Sequence, residues 1–403
     1  MTRHGPSALL FATMYPQTVM SMMVLTPPVV AEQVTATYGL PAETAGLYAA
    51  VSYFFVAVGA LSTASLISRV GPLRLSFACI VAGGLALAIF GLGSFAWVVL
   101  ATVLMGLCYG PLTPASQQAI ANADPIANIA LFLSVRQTAV PLGGMLAGLI
   151  VPALVVRSNL ETALLVLGLG VTLSGLLAGS LLGVVRHEPR APRAPARAGF
   201  FAPLRLMLTH RSLLAISFAS TVYGALQLVV SSLLVVFLMR ELGRDLVTAG
   251  LMLGISQAAA VIGRIGWGLV ADRVGRLRGT LGAIGLGMAG ACTAAWLLTP
   301  ASPDPVVALV AFLLGATTSG WNGVFLASLM QAVPTAQAGF VASGALLFSY
   351  LGIVLGPPLF GALAAFIGFP AAFLLLGVLA VGGTALCWLP PSPGAPRRQI
   401  VDI

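Results

Sequence analysis

Apolar runs long enough to cross a membrane recur along the whole of this 403-residue chain. A hydrocarbon core about 30 Å thick needs roughly 20 residues of α-helix for each crossing. The strands of a membrane β-barrel would instead alternate in hydrophobicity at every second residue, and these runs do not. The sequence therefore predicts an all-α membrane protein with twelve transmembrane helices, which we call spans 1 to 12. The spans cover residues 8–31, 44–67, 73–94, 97–121, 129–154, 161–185, 213–239, 247–271, 279–299, 305–332, 338–366 and 370–389.

Charged residues are scarce and unevenly placed, which indicates how the chain lies in its membrane. They make up 7% of the sequence, against about 25% in a soluble domain, and all 19 basic residues are arginines. If both termini are cytoplasmic, only Arg157, Arg240 and Arg244 face outward, whereas most of the other arginines face the cytoplasm. This positive-inside bias predicts a multi-pass protein of a bacterial inner membrane with cytoplasmic termini. Because the charge is spread over short loops, we expect no nucleic-acid partner.

Two halves of the sequence echo each other at a fixed offset. The segment TAGL at 44–47 recurs at 248–251, and RVGPLR at 69–74 recurs as RVGRLR at 273–278. Both pairs are 204 residues apart, close to half of the chain. The shared offset predicts a duplicated unit of six helices, in which spans 2 and 8 are equivalent.

The stretch RHEPRAPRAPARAG at 186–199 separates the two halves. Its alternating Pro, Ala and Arg can neither pack nor form a membrane helix, so we predict an extended cytoplasmic linker. The aromatic residues and arginines that follow suit a segment lying at the membrane interface. The predicted organisation is an N-terminal half, this linker with its interfacial segment, a C-terminal half and a cytoplasmic tail, at residues 1–185, 186–211, 212–389 and 390–403.

The segment GLVADRVGRLR at 268–278 lies between spans 8 and 9. Together with the two six-helix halves and the basic linker, it resembles the major facilitator superfamily, and the resemblance covers essentially the whole chain. The family's loop motif, Gly-x-x-x-Asp-Arg-x-Gly-Arg, is matched by Gly268, Asp272, Arg273, Gly275 and Arg276. The resemblance implies that this motif locks a cytoplasmic gate in the outward-open state. A carboxylate at a helix C-terminus is unfavourable unless it is paired, and nearby arginines can pair with Asp272.

The copy of the motif between spans 2 and 3 is incomplete. It keeps Arg69, Gly71 and Arg74, whereas Ser68 replaces the Asp and Pro72 replaces an Arg. The family's pattern then implies an asymmetric lock that rests mainly on the second half.

Two arginines, Arg136 and Arg264, lie deep inside apolar runs. At 1.5 Å per residue, each lies roughly 6 Å to the cytoplasmic side of the middle of its span, which is span 5 or span 8. The superfamily architecture implies that these two spans line the interface between the halves. A charge in the middle of a helix costs at least about 2.5–3.5 kcal/mol on the insertion scale, so it faces a cavity or a partner.

The usual partner for such an arginine would be an acidic side chain, but the acidic residues map to helix ends and loops. We therefore predict that the anion arrives as the ligand, because the planar guanidinium binds a carboxylate through two hydrogen bonds. Two alternatives remain open for both arginines: extension toward the cytoplasm, and bonds to backbone carbonyls. Arg264 could also reach toward the Asp272 cluster.

Polar and aromatic side chains at similar depth complete the candidate site. Hydroxyls and amides can orient a small ligand, and aromatic rings can shape its apolar part. For each of these residues alone, helix–helix hydrogen bonding or packing is the alternative. The predicted substrate-binding residues besides the two arginines are Tyr15, Gln17, Gln137, Tyr223, Gln227, Gln257, Asn322 and Tyr350, with Trp321 beside them.

These features predict an alternating-access secondary transporter of a small organic anion, a carboxylate, with no cofactor and no metal. The substrate and the lipid bilayer are its expected partners, and we expect a monomer. The three histidines fall outside the spans, so the mode is exchange, uniport or coupling through the substrate's own proton. Efflux of drugs or amphipathic metabolites is the alternative function. A membrane enzyme or sensor is disfavoured, because the sequence has no nucleotide loop, metal-ligand cluster or nucleophile–base set.

Overall fold

A computed structural model of the chain describes residues 6–38, 44–92, 94–121, 132, 135–181, 211–331 and 338–389. These residues form fifteen helices and no strand. In the first half, the helices are α1 Pro6–Val29, α2 Ala31–Tyr38, α3 Thr44–Val70, α4 Pro72–Phe90, α5 Phe95–Tyr109, α6 Leu112–Ala121, α7 Ala139–Arg157 and α8 Leu160–Leu181. In the second half, they are α9 Arg211–Arg240, α10 Leu246–Val274, α11 Leu277–Trp296, α12 Asp304–Thr318, α13 Trp321–Gln331, α14 Ala338–Ile367 and α15 Phe369–Trp388. Most of the predicted linker and all of the predicted tail lie outside the described residues.

The helices account for all twelve predicted spans. Among the described residues, ten helices are long and apolar enough to cross a membrane. Leu47–Ala60, within α3, is a shorter apolar stretch. Spans 4 and 10 are each divided in two, as α5 with α6 and as α12 with α13, and Gly110–Pro111 lies at the first division. A proline at that point removes a backbone donor and interrupts the helix. The prediction of an all-α membrane protein with twelve helices in two halves is confirmed.

The two halves use the same helix pairings. In the first half α1 packs against α7, α4 against α8 and α3 against α5. In the second half the equivalent pairs are α9 with α14, α11 with α15 and α10 with α12. Each half is therefore a bundle in which its first and fifth spans, third and sixth spans, and second and fourth spans are packed together.

The repeat extends to single residues at the predicted offset of 204. Ser52 and Ser256 are both buried. The carbonyl of Ser52 faces Gly106 of the neighbouring helix, and the carbonyl of Ser256 faces Gly315 in the same way. Close approach of this kind needs a residue without a side chain. The two halves therefore keep the same helix contact at equivalent positions.

The turns that end α3 and α10 carry a glycine at the equivalent position, although the ψ angles of the two glycines differ, at 156° and 13°. Gly71 and Gly275 both have a positive φ, of 91° and 65°, and each donates its amide to the carbonyl four residues earlier. Glycine adopts this left-handed backbone without the steric penalty that a side chain would bring. The glycine shared by both motif copies is therefore required by the shape of the turn.

The halves meet along two pairs of helices, α7 with α10 and α3 with α14. We call the first contact the seam. An ion pair between Glu32, in α2, and Arg240, at the end of α9, also joins the halves. We call this end of the bundle the Glu32 end and the opposite end, where α3 and α10 finish, the Asp272 end.

Candidate functional site

The seam brings two helices into contact in opposite directions. A methyl group added to Gly250 of α10 would meet the carbonyl of Gly148 and the ring of Pro152 in α7. One turn earlier in α7, Gly144 packs against the side chain of Gln257. Because glycine leaves no side chain between the helices, their backbones come close together at the Glu32 end of the seam.

Arg264 crosses the seam nearer the Asp272 end. Its Nη1 donates a 2.6 Å hydrogen bond to the backbone carbonyl of Gln137, just before the start of α7. Its Nε is buried and has no hydrogen-bond partner in the part of the chain that the structure describes. One guanidinium of the second half is therefore tied to the backbone of the first half and keeps an unused donor.

Arg136 lies next to that carbonyl in the chain. Its side chain is only 2% exposed, and both Nε and Nη2 are buried without a hydrogen-bond partner among the described residues. A buried donor left unpaired costs about 1–3 kcal/mol, and more when the group is charged. The protein therefore keeps an arginine here at a cost to its own stability, which is typical of a binding site.

Tyr109, at the end of α5, lies near both of these charges. Its phenol is within electrostatic range of both Arg136 and Arg264. The side chains of Ser21 and Gln17 in α1 lie beside the phenol oxygen. Tyr109 is missing from the sequence-predicted set, although its position directly before the Gly110–Pro111 break of span 4 could have indicated it.

Two further tyrosines extend this wall of the site. The rings of Tyr53 in α3 and Tyr109 are 6.4 Å apart in an edge-on arrangement. Tyr350 in α14 lies within electrostatic range of both and is 43% exposed. Gln17 is buried and accepts a 3.3 Å hydrogen bond from Thr113. The structure thus places Gln17 and Tyr350, both predicted, near the arginine pair.

A second polar cluster belongs to the second half. The Gln227 Oε1 accepts hydrogen bonds from the Trp321 indole, at 3.1 Å, and from the Asn322 amide, at 3.0 Å. Gln257 donates a 3.2 Å bond to Ser231. Gln227 and Asn322 are only half-buried, so this pair can still offer hydrogen-bonding atoms to a ligand.

Two predicted residues use their hydroxyls inside one half. Tyr15 donates a 2.6 Å bond to Ser174 in α8 and stacks on Phe77. Tyr223 is fully buried and donates to the carbonyl of Leu281 in α11. Both contacts match the packing alternative, and a role for either residue in ligand binding stays a prediction.

The comparison with known proteins identifies the family. The model of the Major Facilitator Superfamily matches residues 10–348, and it matches a second time at 216–401. The chain belongs to the major facilitator superfamily.

Relatives in the superfamily agree with this. An uncharacterized MFS-type transporter of Mycobacterium tuberculosis strain CDC 1551 is 27% identical over 374 residues, which cover 90% of this chain and 81% of the relative. A second MFS-type transporter, from strain H37Rv of the same species, is 26% identical over the same coverage. The chain is therefore a member of a transporter family, and its family is not a class of enzymes.

Solved superfamily structures share the fold at low sequence identity. A bacterial homolog of the human lysosomal transporter Spinster, in an inward-facing and unoccupied conformation, has a TM-score of 0.79 and 18% identity over 95% of this chain and 96% of its own. A POT family transporter in complex with 5-aminolevulinic acid has a TM-score of 0.77 and 13% identity over 95% of each chain. The nucleoside transporter NupG has a TM-score of 0.76 and 13% identity over 95% of this chain and 98% of its own.

Most residues of the superfamily's loop motif are exposed in this structure. Asp272, Arg273 and Arg276 are exposed, and Asp272 has no ion pair with any residue of the described ranges. A methyl group added to Gly268 would meet nothing. In the first-half copy, Arg69 is exposed and Arg74 is half-buried. The predicted role of these residues as a lock stays a prediction, because no ion pair between Asp272 and an arginine is seen among the described residues.

The acidic side chains of the described residues lie at the two ends of the bundle. Within the part of the chain that the structure describes, they occupy terminal turns of helices and connecting loops, at Glu32, Glu161, Glu241, Asp245, Asp272 and Asp304. None of these six is an ion-pair partner of Arg136 or Arg264. The two arginines of the site thus have no protein carboxylate among the described residues to neutralise them.

Proposed function

We propose that this superfamily member is an alternating-access secondary transporter that carries a small organic anion, a carboxylate, across the bacterial inner membrane. The two halves would rock about a substrate bound between them, near the seam. Positive-inside placement of the arginines puts the Asp272 end and both termini in the cytoplasm.

One observation carries the proposal: Arg264 binds the backbone carbonyl next to Arg136, and both guanidinium groups keep buried nitrogens that have no partner among the described residues. A charged group inside a membrane is retained when it binds something, and here the protein supplies no counter-charge from the described residues. An anion bound between the halves would accept hydrogen bonds from both groups. Its negative charge would also lower the cost of burying the two guanidinium groups.

The surroundings favour a carboxylate with a small body. Guanidinium groups bind carboxylates with two parallel hydrogen bonds, and the Tyr109 hydroxyl provides a neutral donor beside them. The rings of Tyr53 and Tyr350 offer apolar surface for the rest of the molecule. The structural relative bound to 5-aminolevulinic acid shares the fold and holds a ligand of this chemical class.

The first test is thermal stabilisation of the purified protein. Small carboxylates, inorganic anions and amphipathic cations would be compared in the wild type and in Arg136→Gln and Arg264→Gln. A ligand that binds only the folded state raises the apparent stability, by about 2.7 kcal/mol at one hundred times its Kd. We expect carboxylates to stabilise the wild type and neither variant.

Arg157→Gln is the matched control, because Arg157 is an exposed arginine in the last turn of α7. It should respond to carboxylates as the wild type does. Stabilisation by cations alone, or an equal response in all variants, would contradict an anion site at the two arginines.

Efflux of amphipathic compounds is the second candidate, and an apolar cavity favours it. The cavity has a volume of about 160 Å³ and lies in the first half at the Glu32 end, with Pro27, Leu47, Phe95 and Val99 among its lining residues. Leu47, Phe95 and Val99 are exposed on the outer surface of the bundle, where the hydrocarbon of the bilayer would lie. Filling the cavity with Leu47→Trp would lower stabilisation by amphiphiles and leave a carboxylate response unchanged.

A further inference from the structure

The acceptor of Arg264 is free because of a proline four residues later. In an α-helix each carbonyl accepts from the amide four residues ahead, and residue 141, four ahead of Gln137, is a proline without an N–H group. The neighbouring carbonyls are satisfied along the chain: Thr138 donates to Val135 at 3.1 Å, and Leu142 donates to Thr138 at 3.0 Å. The Gln137 carbonyl has no such donor and takes one from Arg264 instead.

A second proline in α7 also frees a backbone carbonyl, but no charged side chain of the described residues binds that carbonyl. Pro152 lies eleven residues after Pro141, about three helical turns, so both are on the same face. Pro152 deprives the Gly148 carbonyl of its donor, and that carbonyl faces Gly250 in α10. Both freed carbonyls of α7 therefore face α10, but only the one at Gln137 meets a charged donor.

The bond between Arg264 Nη1 and the Gln137 carbonyl, which we call the seam bond, is open to competition. A carboxylate is a better partner for a guanidinium than a neutral carbonyl, because it carries the opposite charge and can accept two parallel hydrogen bonds. Arg136 lies beside the bond with two unpaired nitrogens and would attract such an anion to this place. The anion would gain contacts with both arginines, whereas the seam bond satisfies one donor of one arginine.

We infer that Pro141 makes the Gln137 carbonyl the resting partner of Arg264. The seam bond then holds the halves in the described arrangement while the carrier is empty. When the substrate anion binds, Arg264 releases the Gln137 carbonyl and donates to the anion instead. Pro141 is thus a positioning residue, which acts through the carbonyl that it leaves free. The inference rests on the proposed function, because the competing group is the transported carboxylate.

This arrangement has a consequence for the mode of transport. An empty carrier held by the seam bond reorients slowly, whereas a loaded carrier has lost that bond and reorients freely. Such a carrier exchanges one anion for another and returns empty only rarely. Of the three modes that the sequence left open, the seam bond favours exchange.

The test measures the arrangement of the halves without any substrate. Spin labels at Val70→Cys and Val274→Cys would sit on exposed residues at the ends of the equivalent helices α3 and α10, one in each half. Distances between them would be measured by double electron–electron resonance, with the native cysteines replaced by alanine. Pro141→Ala restores an amide that can pair with Gln137, so the population outside the described arrangement should rise about tenfold, the size expected for one lost hydrogen bond to a charged group.

Pro152→Ala is the matched control in the same helix, and it should leave the distances unchanged. The double variant Pro141→Ala/Arg264→Ala should match Pro141→Ala alone, because both changes remove the same bond. Unchanged distances in Pro141→Ala, or an equal change in Pro152→Ala, would overturn the inference.

A second arm adds a mixture of acetate, lactate and succinate to the wild type. If carboxylates shift the label distances in the wild type but Pro141→Ala has no effect, the result supports the proposed function and contradicts the role of the seam bond. An effect of Pro141→Ala without a shift by carboxylates would support the seam bond and count against the carboxylate as substrate.

Discussion

The guanidinium of Arg240 pairs with the carboxylate of Glu32, and this pair joins the two halves at the end of the bundle opposite Asp272. Glu32 belongs to the short helix α2 after the first span, and Arg240 is the last residue of α9. Together with the glycine contacts at Gly250, the pair closes the bundle at the Glu32 end. The exposed Asp272, which has no ion pair among the described residues, lies at the other end. In the described part of the chain, the two halves are therefore joined by an ion pair at one end, and Asp272 makes no such pair at the other.

We predict that Glu32→Gln weakens this closure without unfolding the protein. The pair is partly exposed, so it contributes only about 0.2–1 kcal/mol, and salt screens it further. Labels on exposed Val156 and Val247, at the Glu32 end of the seam helices, would report a wider distance distribution at low salt. Glu241→Gln serves as the control, because Glu241 adjoins Arg240 and forms no ion pair with the described residues.

We predict that Gly250→Ala drives the seam helices apart. The added methyl would overlap the Gly148 carbonyl and the Pro152 ring, and overpacking of this kind costs about 1–3 kcal/mol. Thermal unfolding of the purified variant would measure the loss. In the same helix, Gly266→Ala meets nothing and should be neutral or stabilising by up to about 1 kcal/mol through helix propensity. Equal effects at the two glycines would contradict the close approach of α7 and α10.

We predict that Arg136→Gln stabilises the empty protein while it removes the carboxylate response. The variant replaces a buried, unpaired cation by a neutral amide, and relief of such a group is worth about 1–3 kcal/mol. A melting temperature above that of the wild type in the absence of anions would support this. A lower melting temperature would indicate that Arg136 has a partner and contributes to the fold.

Asp245 should make the stability of α10 depend on pH in the acid range. It caps the helix by accepting hydrogen bonds from the Thr248 hydroxyl and from the amides of Thr248 and Val247, and these bonds lower the pKa of the carboxyl. Because the folded pKa is depressed, the stabilisation is complete above the unfolded value of about 3.9 and is lost as the pH falls through the lower folded value.

The comparison of the wild type with Asp245→Ala checks this cap. The variant should lose about 1 kcal/mol at neutral pH, and the difference should shrink in acid. Asp245→Asn retains a neutral cap and should show a smaller loss with little dependence on pH. A constant difference between wild type and Asp245→Ala down to about pH 3 would contradict the depressed pKa.

The sequence predicted the architecture because hydrophobic length and repetition are properties of the chain itself. Spans of about 20 apolar residues determine the crossings, and the offset of 204 correctly paired Ser52 with Ser256 and Gly71 with Gly275. The depth of Arg136 and Arg264 also follows from counting residues along a helix. These inferences need no knowledge of how the helices are rotated.

The parts of the site that were missed depend on that rotation. Tyr15 and Tyr223 have the same predicted depth as the other candidate residues, yet their hydroxyls bond within one half. A helix that is apolar on every face gives no pattern from which its orientation could be read. Tyr53 and Tyr109 were overlooked for the same reason. The carbonyl acceptor of Arg264 was among the alternatives, but its identity depends on the helix break before Pro141.

The seam bond joins a guanidinium to a peptide carbonyl, and neither group gains or loses a proton at physiological acidity. A latch made from a carboxylate or a histidine would loosen whenever the surroundings of the cell became more acidic. The seam bond does not depend on pH in this range, and it is broken by a competing oxyanion. The empty carrier would therefore keep the same arrangement of its halves in an acid habitat as at neutral pH.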